Sequence, residues 1–391
     1  MSKFTPLAPQ LRSRLPRVGT TIFSTMSALA QAHGAVNLGQ GFPDFDGDPA
    51  LLDAVNAAMR AHHNQYPPMP GVLLLRQAVA AKVAAMYGHS YGVEDEITIT
   101  AGATQAILTV LLSIVHPGDE VIVLEPCYDS YLPNIELAGG VAVRVPLTPG
   151  TFRPDFERLA AAITPRTRVL IINTPHNPSA TVWSAQEMQA LADTLRGTEV
   201  LVLSDEVYEH MVYDGAQHLS VASHPELQAR SFIVSSFGKT FHVTGWKIGY
   251  VLAPKSLMHE FRKVHQYNVF TVNTPMQYGL AAYLQDPQPY LQLPAFYQRK
   301  RDLFRAGLAG SNLRLLPCEG SYFQSVDYRA VARLGDMPGQ SACEWLIREL
   351  GVAAIPMSAF YSEGDSQTII RFCFAKRDET LQQALALLQQ L

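Results

Sequence analysis

Between about residues 95 and 255 the chain repeats one pattern: a short β-branched or apolar run, an abrupt polar or glycine-bearing turn, then a longer stretch of helical period. Such a repeat builds βα units, and successive βα units pair their strands into a mostly parallel sheet covered by helices. The runs are Ile97-Thr98-Ile99-Thr100, Val121-Ile122-Val123-Leu124, Val169-Leu170-Ile171-Ile172, Val200-Leu201-Val202-Leu203 and Phe232-Ile233-Val234. Ligands of open parallel sheets bind outside the carboxyl ends of the strands, so the residues just past these runs are expected to converge on one site. Residues 246–251 follow the last turn too closely to leave room for a crossover helix, and are expected to return as an antiparallel strand.

The rhythm ends near Asp286. Pro287, Pro289 and Pro294 precede a charged helical stretch at 296–308, and short strands are expected at Gly320-Ser321-Tyr322-Phe323 and Ile369-Ile370-Arg371-Phe372. The expected fold class is α/β. A large domain at 51–285 carries the mostly parallel sheet in an α/β/α sandwich, and a smaller α+β domain is built from both termini, residues 1–50 packing with 286–391. A chain of 391 residues with 48% hydrophobic content can bury cores of ordinary size.

Charge and cysteine usage exclude several classes. The net charge is −4 with Lys and Arg scattered, so no basic stripe invites nucleic acid. Cys127, Cys318, Cys343 and Cys373 lie far apart without a C-x-x-C pair, which fits free thiols in a reducing compartment. His62 and His63 are adjacent and point apart on a helix, and Glu206 and His210 make no H-E-x-x-H, so no metal is expected. Residues 1–16 hold no apolar signal region, and the apolar stretch at 107–115 is too short to span a bilayer. A cytoplasmic protein is expected.

Lys239 sits in Ser235-Ser236-Phe237-Gly238-Lys239-Thr240, directly after the last run. Lysine lowers its pKa readily when desolvated or set beside another cation, and its neutral amine then forms a Schiff base with an aldehyde. Lys247 is a second cation nearby. An aldehyde cofactor that carries a phosphate needs such an amine, a carboxylate for a pyridinium nitrogen, donors to a ring hydroxyl, an aromatic stacker and a phosphate cup. Asp205 is the candidate carboxylate, Asn177 and Tyr208 the donors, Tyr128 the stacker. Gly102, Ala103 and Thr104 open a helix whose free N–H groups suit a phosphate, with Ser236 and Lys247 completing the cup. Each motif alone has an ordinary explanation as an N-cap, a capping pair or an Asn-Pro turn. Their shared position at strand ends favours a site.

These residues resemble those of class I, fold-type-I aminotransferases that depend on pyridoxal 5'-phosphate, and within that family the methionine aminotransferases of bacteria and the kynurenine aminotransferase and glutamine transaminase K group. The segments that carry the resemblance run end to end: Asn37-Leu38-Gly39-Gln40-Gly41-Phe42-Pro43-Asp44-Phe45, Asn64-Gln65-Tyr66, Thr100-Ala101-Gly102-Ala103-Thr104, Asn173-Thr174-Pro175-His176-Asn177-Pro178, Ser204-Asp205-Glu206-Val207-Tyr208, Ser236-Phe237-Gly238-Lys239-Thr240 and Arg371-Phe372-Cys373-Phe374. The resemblance implies that Arg371 clamps the substrate α-carboxylate beside Gly41 and Asn177, and that Tyr66 reaches across a homodimer interface toward the partner's cofactor phosphate. Two departures stand out: Ser179-Ala180 follow Pro178 where many relatives have x-Gly, and the loop at 362–368 is short.

The implied reaction is ping-pong transamination of methionine and other apolar or aromatic L-amino acids with a 2-oxo acid acceptor, through a Schiff base at Lys239. Phe23, Tyr66 and Phe360, with Tyr361, Ile22 and Met357 nearby in sequence, are the expected apolar lining. The alternatives are a carbon–sulfur β-lyase of the same fold and a broader kynurenine or glutamine transaminase. A nicotinamide enzyme is disfavoured, since no Gly-x-Gly-x-x-Gly follows any strand. A regulator's ligand-sensing module is disfavoured by the intact Lys239.

Overall fold

A computed structural model describes residues 11–362 and 367–391, so part of the loop at 362–368 lies outside the described residues. Among the described residues the thirteen strands, in chain order, are β1 (Val36–Asn37), β2 (Ile97–Thr100), β3 (Glu120–Glu125), β4 (Val141–Pro146), β5 (Thr167–Asn173), β6 (Leu201–Asp205), β7 (Ser231–Ser236), β8 (Gly249–Leu252), β9 (Arg314–Leu315), β10 (Phe323–Asp327), β11 (Val352–Ala353), β12 (Ile355–Pro356) and β13 (Ile369–Cys373).

Seven of them form the central sheet in the order β2-β8-β7-β6-β5-β3-β4. The pairs β3–β4, β3–β5, β5–β6 and β6–β7 are parallel, and β8 runs antiparallel to both β2 and β7. The five expected strands are present, and the antiparallel return expected over 246–251 is corrected to β8, which starts at Gly249 because Thr244–Trp246 form a tight helical turn and Lys247 is left-handed. β4 was not expected: it lies at the sheet edge, only Val145 of it is buried, and Arg144 interrupts its apolar run. Side chains of the inner strands alternate between two buried faces. Val121, Val123, Val169, Ile171, Leu203, Phe232 and Val234 pack on one side with the helices Gly102–Ile114 and Lys255–Asn268, while Ile122, Leu170, Ile172, Val202 and Ile233 belong to the core on the other. A strand covered on both faces is apolar at every position, which explains the continuous runs in the sequence. Each such side chain contributes roughly 1.5–3 kcal/mol on burial.

β9, β10, β12 and β13 form a second sheet, antiparallel at each pairing. The expected strand at residues 320–323 is corrected: Gly320, Ser321 and Tyr322 form the approach, and β10 begins at Phe323. The helix Leu293–Gly307 packs against Asp378–Leu388 beside this sheet. β1 pairs in parallel with β11, and the helix Ile22–His33 packs on the same region, so the N-terminal segment joins the C-terminal part of the chain. No helix among the described residues is long and apolar enough to cross a membrane.

Candidate active site

Strand ends β2, β3, β5, β6 and β7 open onto one cleft of ≈ 290 Å³. Its walls include Gly102, Ala103, Thr104, Tyr128, Asn177, Asp205, Tyr208, Ser236, Lys239 and Lys247 from the sheet side, and Phe23, Gly41 and Arg371 from the terminal segments. Nearly every residue singled out in the sequence is thus brought together.

Lys239 lies in the short helical turn Phe237–Thr240 that follows β7. Its Nζ donates to the Gly41 carbonyl at 3.1 Å and to Tyr322 Oη at 3.0 Å. Burial pulls the amine's pKa down to about 8; the cations Lys247 and Arg371 act in the same direction, and Cys373 and Asp205 oppose them. At pH 8 about half of such amines are neutral, against well under 1% for an ordinary lysine.

Asp205 closes β6 and is buried. Burial pushes its carboxyl up to about 6, while the Tyr131 hydroxyl, which donates to Oδ2 at 2.7 Å, and the Val207 N–H hold it from rising further. It is therefore an anion at neutral pH. Asn173, at the end of β5, donates to the Asp205 carbonyl at 2.8 Å and accepts from the Asn177 N–H at 2.8 Å, which ties the two neighbouring strand ends and the Asn177 turn into one unit. In that turn Ala180 adopts φ +63°, so the left-handed geometry that x-Gly would give is kept by an alanine.

At the far end the helix Gly102–Ile114 begins without a side-chain cap, because Ala101 has none to offer. Its first N–H groups face the cleft with Lys247 beside them. Gly102 sits at φ +77°, a conformation that side chains rarely adopt, and a Cβ at Gly249 would lie 2.6 Å from the Ser235 carbonyl and 3.2 Å from the Gly102 carbonyl carbon, so glycine at 249 lets the strand close on the helix start. Lys247 itself sits at φ +54°. An uncapped helix start with an adjacent ammonium is a seat for a phosphate-like anion.

Arg371, on β13, is 1% exposed. Its guanidinium lies 3.9 Å from the Phe323 ring centroid, 4.8 Å from that of Phe360 and 5.6 Å from that of Phe23. Nη1 donates to Asn177 Oδ1 at 2.5 Å and Nη2 to the Gly39 carbonyl at 3.2 Å, while Nε has no partner. Burial lowers its pKa to about 10, which leaves it charged at neutral pH. A buried cation that keeps unused planar donors suits a carboxylate.

The sequence model for "Aminotransferase class I and II" matches residues 33–388. The chain belongs to that family. It is 50% identical to the methionine aminotransferase of Escherichia coli over 99% of each chain, and superimposes on a solved structure of an E. coli protein with that function at a TM-score of 0.96, covering 99% of this chain and all of the other. A solved N-succinyldiaminopimelate aminotransferase of Mycobacterium tuberculosis is 42% identical with a TM-score of 0.93, covering 97% of this chain and all of the other. The human kynurenine–oxoglutarate transaminase 1 is 35% identical over 96% of this chain and 97% of its own. The fold is that of the fold-type-I aminotransferases, and the cofactor of this aminotransferase is pyridoxal phosphate. The cleft fits it: an uncapped helix start beside Lys247, a buried carboxylate at Asp205, and an amine of lowered pKa at Lys239 lie along one wall.

Some expected residues fall elsewhere. Tyr66 is 82% exposed, packs edge-on against Phe270 at 5.3 Å and does not line the cleft of its own chain. Phe360 is buried behind Phe23, at 5.7 Å between ring centroids, and borders the cleft through Phe23 and Arg371 rather than lining it. Ile22, Met357 and Tyr361 do not line it. Sequence reasoning missed Tyr131, Tyr322, Phe323 and Asp129. Tyr131 follows the singled-out Tyr128 by three residues, a helical spacing that could have found it. The others had no such signal.

Proposed function

We propose that this aminotransferase transfers the amino group of methionine, and of other apolar or aromatic L-amino acids, to a 2-oxo acid in a ping-pong cycle. Pyridoxal phosphate, when bound, supplies an aldehyde carbon that links to an amine and a ring that draws electrons from the substrate's α-carbon. Asp205 would hold its ring nitrogen, Asn177 and Tyr208 its ring hydroxyl, and Tyr128 the face of its ring. Gly102, Ala103, Thr104, Ser236 and Lys247 would hold its phosphate, with Tyr66 reaching in from the other subunit of a homodimer. Lys239 carries the chemistry of this chain. Its amine, part-neutral near pH 8, would be the anchor for that aldehyde and, when free, would take a proton from the substrate α-carbon onto Nζ and give it up again. Arg371 receives the α-carboxylate through two parallel charge-assisted bonds, with the Gly41 backbone beside it, and Phe23 and Phe360 keep water from that end.

The observation that carries the substrate class is the charge inventory of the cleft. Among its described lining residues the cations are Lys239, Lys247 and Arg371, each already given a role, and the remaining side chain of formal charge besides Asp205 is the acidic Asp129. Among these described lining residues no further cation is offered to a second substrate carboxylate. The 50% identity to the E. coli methionine aminotransferase supports the same reading. We also propose a cytoplasmic homodimer, with 1–50 and 286–391 as the smaller unit and 51–285 as the larger.

Holoenzyme mixed with single amino acids tests this by the loss of the bound cofactor's visible absorbance. Methionine and phenylalanine should bleach it and pyruvate-type 2-oxo acids restore it; response to glutamate or aspartate alone overturns the substrate class. Pyruvate and ammonia released from a cysteine conjugate without any 2-oxo acid would instead mark the carbon–sulfur β-lyase.

A further inference from the structure

We propose that Tyr322 is a further residue that touches the reacting atom: with the Gly41 carbonyl, its hydroxyl forms a seat that holds and orients the free amine of Lys239. The inference rests on Lys239 being the reactive amine.

Tyr322 comes from the approach to β10. Its ring is fully buried and packs edge-on against Tyr208 at 5.1 Å and Phe323 at 4.9 Å, so the hydroxyl has little freedom of position. The O–H donates to the Gly41 carbonyl at 2.6 Å, and burial keeps the phenol protonated by raising its pKa. Its proton is therefore spent, and the oxygen faces Lys239 Nζ at 3.0 Å with lone pairs only. The same Nζ reaches the Gly41 carbonyl at 3.1 Å. A neutral amine has two N–H donors and one lone pair. With both donors tied to these two oxygens, the lone pair is left on the side away from them, in a fixed direction. A proton acceptor whose lone pair is held in one direction loses less on reaching the geometry of transfer. Gly41 is glycine for a related reason, since a Cβ there would lie 3.0 Å from Phe323 Cζ and push this wall back.

The test is Tyr322→Phe, which keeps the ring. In apoenzyme, labelling of Lys239 by an amine-reactive acylating reagent is followed against pH by peptide mass spectrometry. The groups that face this amine are Lys247, Arg371, Asp205, Cys373 and Tyr208; none is substituted in the variant, and Tyr208 loses only the hydrogen bond that it shares with Tyr322. Removing one acceptor from the ammonium should lower the apparent pKa of labelling by about one unit. In holoenzyme the single-turnover rate with methionine should fall about tenfold, on the order of one oriented hydrogen bond, while KM stays within about twofold. Unchanged labelling and unchanged rate overturn the proposal. A wild type that does not transaminate, yet shows the labelling shift in Y322F, overturns the function and leaves the seat standing. Should Y322F not fold, wild-type apoenzyme with ¹³Cζ-labelled tyrosine carries the test. A tyrosine resonance should titrate with Lys239 and cease to do so in Lys239→Met, and the absence of any such resonance overturns the seat.

Discussion

Arg371→Met separates binding from stability, because the two respond differently. In the wild type the guanidinium is fully enclosed by Phe323, Phe360 and Phe23, and no carboxylate of the described residues forms a salt bridge with it. The lowering of its pKa from 12.5 to about 10, at about 1.4 kcal/mol per unit, corresponds to roughly 3 kcal/mol of penalty on the charged form. Methionine removes that penalty and fits among the rings. It also leaves Asn177 Oδ1 and the Gly39 carbonyl without a donor, at about 1–3 kcal/mol each. The terms nearly offset, so urea unfolding of the apoenzyme should give a free energy within about 2 kcal/mol of wild type, whereas breaking a buried ion pair costs about 3–5 kcal/mol. Binding has no such offset. Two charge-assisted bonds to the substrate carboxylate, at about 1.5–3 kcal/mol each, predict a loss of roughly 10²–10⁴ in kcat/KM for methionine. A variant destabilised by more than about 4 kcal/mol with kcat/KM changed less than tenfold would refute the reasoning, since Arg371 would then be a packing residue.

Two further substitutions have clear signs. Tyr131→Phe removes the O–H that favours the Asp205 anion, so the carboxyl should rise above about 6 by roughly one unit; the acid limb of cofactor uptake by apoenzyme should move to higher pH by the same amount, and an unmoved limb would show that Asp205 does not govern uptake. Lys82→Met addresses a buried pair behind the site, where Nζ lies 2.7 Å from Glu209 Oε1 and both side chains are under 5% exposed. Burial pulls the Lys82 amine down, whereas Glu209 is held low against burial by Lys82, His210 and Ser235; the pair is charged, because Glu209 also accepts from Tyr87 and Tyr250. Stripping Lys82 should therefore cost about 3–5 kcal/mol in denaturant unfolding at pH 7. That loss should shrink as pH falls toward the Glu209 pKa, and a pH-independent loss would point to packing instead.

The central sheet was legible because its inner strands are buried on both faces and so read as unbroken apolar runs, each stopped by a polar strand end. That same stop put Asp205, Asn177 and Lys239 on the page as site residues. β4 was missed because an edge strand need bury only one face, and Arg144 with Val141 exposed gives no run to read. Tyr322 was misread for a different reason. Gly320-Ser321-Tyr322-Phe323 has the aromatic content of a strand, and nothing local reveals that the tyrosine ring instead turns toward a lysine 83 residues away in the chain. Tyr66 shows the opposite case: its role was inferred from resemblance alone, and its 82% exposure leaves it available to another subunit without bringing it to any cofactor site of its own chain.

The order of charges along the cleft links anion binding to the basicity of Lys239. Lys247 stands at the helix start and Arg371 at the opposite wall, and both lower the Lys239 pKa, after burial itself. An anion seated at either end cancels part of that repulsion. The amine is thus most neutral in the empty cleft, and more basic once anions occupy both ends, where it must capture a proton. Apoenzyme labelling makes the argument quantitative. Lys247→Met should raise the apparent Lys239 pKa above about 8, and saturating inorganic phosphate should raise it in the wild type but much less in the variant, since the phosphate seat has then lost its ammonium. If phosphate raised it equally in both, the coupling would not run through Lys247, and the helix start alone would account for the effect.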